Sequence, residues 1–69
     1  MVTIFKTSIP NKRGVKVIEP LLKTLIPDSN WNFDLNDCDK IFRVEKMVAQ
    51  PEHIIQAFNS HGFECEELQ

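Results

Sequence analysis

Two cysteines and two glycines are all that this 69-residue sequence has of either residue, and each shortage excludes chemistry. Cys38 and Cys65 form no CxxC pair, and neither stands at a spacing that reads as a zinc site. Gly14 and Gly62 are isolated, so no glycine-rich loop is present to cradle a phosphate at a helix start. No apolar stretch approaches the roughly 20 residues that cross a bilayer. Residues 1–6 carry no charged leader followed by an apolar run. The expected setting is therefore the cytoplasm, with Cys38 and Cys65 as free thiols; a single disulfide between them is the other arrangement two cysteines allow. Catalytic patterns are missing as well. No Ser-His-Asp or Cys-His set is legible, and Glu64, Glu66 and Glu67 read as a solvated tail, so the chain is not expected to be an enzyme.

What remains is the composition of an ordinary globular domain, 42% apolar and 26% charged. A single domain over residues 1–69 is expected, near the lower size limit for a chain held by its own core. The net charge of −2 hides an uneven layout. Residues 1–25 hold Lys6, Lys12, Arg13, Lys16 and Lys23 against Glu19 alone, while Lys40, Arg43 and Lys46 face the other nine of the ten acids. Such asymmetry can orient a protein toward a charged partner. An acidic chain without the aromatic strand motif of RNA-binding sheets is not expected to bind nucleic acid.

Residues 2–8 are rich in β-branched and aromatic side chains and end at Pro10-Asn11, which predicts a strand. Val15, Ile18, Leu22 and Leu25 then recur at helical spacing, with Pro20 inside the helix predicting a kink near Lys16 and residues 26–30 closing it. Trp31, Phe33 and Leu35 alternate with polar residues, predicting a strand over 31–35. Turn residues at 36–39 lead to a second strand over 40–46. Pro51 suits the first position of another helix, Ile54, Ile55 and Phe58 give it an apolar face, and Gly62 is placed to end it in a left-handed conformation. A last strand is predicted over 63–68. This order is βαββαβ, and it predicts an α+β, ferredoxin-like sandwich: a four-stranded antiparallel sheet with two helices on one face. In that topology the loop after strand one, the hairpin turn and the loop before strand four share one end of the sheet.

The stretch Ile9-Pro10-Asn11-Lys12-Arg13-Gly14, followed by Ile18-Glu19-Pro20-Leu21-Leu22, resembles the heavy-metal-associated domain, the fold of copper chaperones and metal-transporter modules. In that family a hydrophobic residue, one spacer and a CxxC open the first helix. Ile9 takes the hydrophobic position, and residues 31–35, 40–44, 54–58 and Gly62-Phe63 match the later strand, strand, helix and Gly-aromatic elements. Asn11 and Gly14 stand where both cysteines would be. Soft monovalent copper prefers thiolate or thioether, and zinc takes thiolate, imidazole or carboxylate. The resemblance thus implies the fold and not the metal.

Two readings follow. In the first, the family's metal site is lost, no cofactor is bound, and the domain serves as a protein-interaction or vestigial module. Asn11, Lys12, Arg13, Gly14 and Lys16 would then meet an acidic partner surface, much as the basic faces of metal chaperones do. In the second, copper or zinc is held by His61 together with Cys38 or Cys65, since the resemblance places the His61 loop near the metal end.

Overall fold

Asn11 starts the first helix because its carboxamide oxygen accepts the amides of Arg13 and Gly14, at 3.0 and 3.4 Å, two donors that have no partner inside the helix. The computed structural model describes residues 2–46 and 49–68. It contains β1 (Val2–Thr7), α1 (Lys12–Leu25), β2 (Asn30–Asp34), β3 (Ile41–Glu45), α2 (Pro51–Ser60) and β4 (Cys65–Leu68). The strands form one sheet in the order β2-β3-β1-β4, every neighbouring pair antiparallel. This is the ferredoxin-like α+β arrangement that the order of periodicities predicts.

The strand registers sort residues between the two faces. Phe5 lies opposite Phe42, Phe42 opposite Phe33, and Val44 opposite Trp31, so these side chains share one face. Phe5, Phe42 and Val44 join Ile18 and Leu22 of α1 and Ile54 and Phe58 of α2 in one fully buried cluster. Both helices therefore lie on that face. The other face carries Lys6 and Arg43, with ammonium and guanidinium 3.7 and 3.8 Å from carboxylates of Asp39 and Asp34.

Element ends differ from the expected ones for local reasons. Lys40 and Lys46 have φ of 49° and 54°, left-handed values that cannot continue an extended ladder, so β3 is shorter at both ends than residues 40–46. The Asp34 carboxylate accepts the Asn36 amide at 3.2 Å, which turns the chain at Leu35 and ends β2 there. β4 begins at Cys65 because Gly62 and Phe63 belong to the close of α2 and Glu64 bonds Ser8 of the loop after β1. Gly62, with φ of 84°, donates to the Asn59 carbonyl and Phe63 to that of Phe58, both at 3.0 Å. These two bonds make the Schellman closure that Gly62 was expected to permit. α1 runs unbroken from Lys12 to Leu25 across Pro20, at the cost of the helical donor to the carbonyl of exposed Lys16.

Candidate functional site

Hydrogen bonds tie three loops together at one end of the sheet, as the topology predicts. The Thr7 amide lies 3.2 Å from the carbonyl oxygens of both Asp39 and Lys40, and the Thr7 hydroxyl donates to the Lys40 carbonyl at 2.7 Å. These fasten the end of β1 to the β2–β3 turn. Ser8 donates its amide to the Glu64 carbonyl at 3.1 Å and accepts the Glu64 amide on its hydroxyl at 2.7 Å, fastening the same loop to the approach of β4.

The two positions at which the family resemblance would place cysteines both have structural work. Asn11 caps α1, as described. Gly14 is buried, and a Cβ built on it would sit 2.8 Å from Cγ2 of fully buried Ile9 and 3.3 Å from the Phe63 ring. The helix approaches Ile9 and Phe63 this closely only because residue 14 has no side chain. Gly14, expected among the residues that meet a partner, is instead buried in the packing of α1 against Ile9 and Phe63.

Lys12, Arg13 and Lys16, by contrast, are all exposed, and among the described residues none takes part in an ion pair. The first turn of α1 contains no acidic residue. Three cations therefore add to the positive end of the helix dipole instead of opposing it, an arrangement unfavourable to the isolated domain.

The candidate metal ligands Cys38, His61 and Cys65 form no three-donor group among the described residues. Among the described residues, the group of three or more His, Cys, Asp or Glu donors close enough to share an ion is Asp37, Cys38 and Asp39, all within 4.8 Å. Neither His61 nor Cys65 belongs to it. His61 caps α2 at its C-terminus with Nδ1 3.1 Å from the Ser60 hydroxyl and 3.3 Å from the Ala57 carbonyl. Any pair of His61 with a cysteine would bind without a third such donor in reach. The turn cluster is explained by its own geometry: the Asp37 carboxylate accepts the Asp39 amide at 2.8 Å, and Asp39 pairs with Lys6.

Both cysteines are free thiols of different character. Cys38 is exposed, while Cys65 is half-buried against the core. Burial pushes the Cys65 thiol up from 9.0 to about 12, so it is a neutral thiol at physiological pH and a poor soft-metal ligand as it stands. The fold favours the protonated form. That contribution is complete below pH 9.0 and declines as pH rises toward about 12, because only the unfolded chain ionises freely in that window. With iodoacetamide at pH 7.5, we expect rapid modification of Cys38 alone, and modification of Cys65 only after denaturation. Equal rates at the two thiols would show that Cys65 is not shielded.

The fold and this end define a small α+β domain with a basic loop–helix junction and, among the described residues, no helix long and apolar enough to cross a membrane. No protein-family model, curated protein or solved structure matches the chain.

Proposed function

We propose that the chain is a heavy-metal-associated-like domain that has given up the family's metal site and acts, without catalysis, through protein contacts made by its basic end in the cytoplasm. The observation that carries this reading is the structural use of Asn11 and Gly14. One is committed to capping α1, and the other is a packing glycine with no room for a thiolate. A loop re-employed in this way retains the scaffold of the family and not its donor set. Lys12, Arg13 and Lys16 beside it, without an ion-pair partner among the described residues, supply a reason for the end to persist, since exposed cations placed unfavourably at the positive end of the helix dipole are suited to steering an acidic partner. Copper or zinc at His61 with a cysteine is less well supported, because His61 is engaged at the end of α2 and Cys65 is held as the neutral thiol.

Titration of the reduced protein with Cu(I) and Zn(II) against a competing chelator tests the reading. The expected result is affinity no greater than that of small-molecule thiols, unchanged by His61→Ala. One tightly held ion per chain, lost in His61→Ala or Cys65→Ser, would replace the proposal with the metal-carrier reading.

A further inference from the structure

Between the first two turns of α1 and the face of β2 runs an open groove of about 450 Å³. Its floor is Val15, Trp31, Phe33 and Leu35, all half-buried, and one wall carries Lys12 and Lys16. Aromatic and aliphatic side chains left half-covered beside cations mark a surface that gains by being covered. The charges of the groove are not balanced from within. Its acid, Glu19, is 3.7 Å from the Lys23 ammonium, one turn along the same helix, whereas Lys12 and Lys16 have no such partner among the described residues.

β2 is also an edge strand, hydrogen-bonded among the described strands to β3 alone. Edge strands are commonly guarded by lysine, proline or a bulge. The strand Asn30-Trp31-Asn32-Phe33-Asp34 contains neither lysine nor proline, and it pairs with β3 in unbroken register. A chain laid along its free edge would add a fifth strand, with every second side chain on the face that carries the groove.

We propose that this groove and edge bind an extended acidic peptide segment, which pairs with β2, places an apolar side chain over Phe33 and Leu35, and sets carboxylates against Lys12 and Lys16. The proposal rests on the protein-contact reading above and names the chemistry of the partner. Charge complementarity selects this occupant over a second copy joined β2 to β2. In that pairing the helix-side face of each β2 presents Trp31 and Phe33, while Asp34 lies on the opposite face with Asn30 and Asn32. Such a dimer would therefore bring no β2 carboxylate to the lysines.

The test uses two synthetic heptapeptides as probes, Asp-Thr-Phe-Thr-Glu-Thr-Leu and the same peptide with lysine in place of both acids. Trp31 is the sole tryptophan, so its fluorescence reports the groove directly, and amide shifts of the labelled protein map the rest. The acidic peptide is expected to change Trp31 emission saturably, with the largest amide shifts in β2 and the first turns of α1. The lysine peptide should bind at least tenfold more weakly. Lys12→Glu with Lys16→Glu should weaken the acidic peptide at least tenfold, and Leu35→Glu should do so with the basic end intact. Equal binding of the two peptides, or shifts confined to β4 and α2, would overturn the proposal. So would sedimentation showing that the free protein self-associates and that the peptide merely dissociates it. Loss of binding on lysine reversal but not in Leu35→Glu would remove the groove and leave the basic-end reading standing. Should the metal titration instead reveal a tight site, the earlier reading fails while the wild-type peptide comparison still decides the groove. The charge reversals lie on exposed positions, so this test does not depend on Leu35→Glu folding.

Discussion

Phe42→Ala is expected to cost about 3–5 kcal/mol, the usual range for deleting a buried ring, and to leave a protein scarcely stable at room temperature. Phe42 is fully buried at the centre of the aromatic cluster. Its ring centroid is 4.6 Å from that of Phe33, 5.5 Å from Phe58, 5.8 Å from Phe5 and 6.0 Å from Trp31. One side chain thus joins β1, β2, β3 and α2, and its loss opens a cavity that none of these elements can close without leaving the others. At about 0.05–0.15 kcal/mol per residue, a domain of this size has only roughly 3–10 kcal/mol in total. Urea denaturation followed by Trp31 fluorescence and far-ultraviolet circular dichroism would measure the loss. Phe42→Leu, which keeps most of the volume, should cost less than about 1.5 kcal/mol. A loss below that for the alanine variant would mean that the cluster relaxes around the gap and is not the keystone of the fold.

Gly14→Ala should destabilise the protein by about 1–2 kcal/mol, although glycine to alanine inside a helix ordinarily gains about 0.5–1 kcal/mol. The sign reverses because the new methyl meets Ile9 Cγ2 at 2.8 Å and the Phe63 ring at 3.3 Å. Ile9 is β-branched and wholly buried, so it can yield only by displacing its own neighbours. Ile9→Leu moves the branch away from Cβ and should restore part of the loss, a coupling that a double-mutant cycle would read directly. If Gly14→Ala alone raised the melting temperature, the close approach would be soft, and the packing explanation for this glycine would be wrong. The same contact bears on function. Introducing a CxxC as Asn11→Cys with Gly14→Cys sacrifices a helix cap, worth about 1 kcal/mol, and forces a larger side chain into the same gap. The metal-free double variant should therefore be less stable than either single one.

Much of the architecture was legible from short-range patterns. The alternation of Trp31, Phe33 and the intervening polar residues marks β2, and the helical spacing of Ile18 and Leu22 marks the buried stripe of α1. Gly62 announces the end of α2, since only a left-handed residue there lets Phe63 donate back to Phe58. Asn11 also carried a readable signal. An asparagine immediately before a helical run is a preferred cap, the role its bonds to the Arg13 and Gly14 amides show. The ends of β3 were less legible, because nothing local in a lysine declares a positive φ at positions 40 and 46.

The sequence by itself determined the order of elements, the faces they bury, the caps of α1 and α2 and the concentration of cations near the start of α1, because each depends on residues within a few positions of one another. Tertiary structure alone decided what lies beside what. The burial of Gly14 comes from Ile9 and from Phe63 at the far end of the chain, and the shielding of Cys65 from its packing against the common core. That Cys38, His61 and Cys65 form no three-donor group among the described residues, and that Lys12 and Lys16 meet Trp31 and Phe33 across a groove, likewise follow from how the helices lie on the sheet. Periodicity tells which side of an element faces inward. It holds no information about which distant side chain will be waiting there, and for this protein the proposed binding surface depends on that second fact.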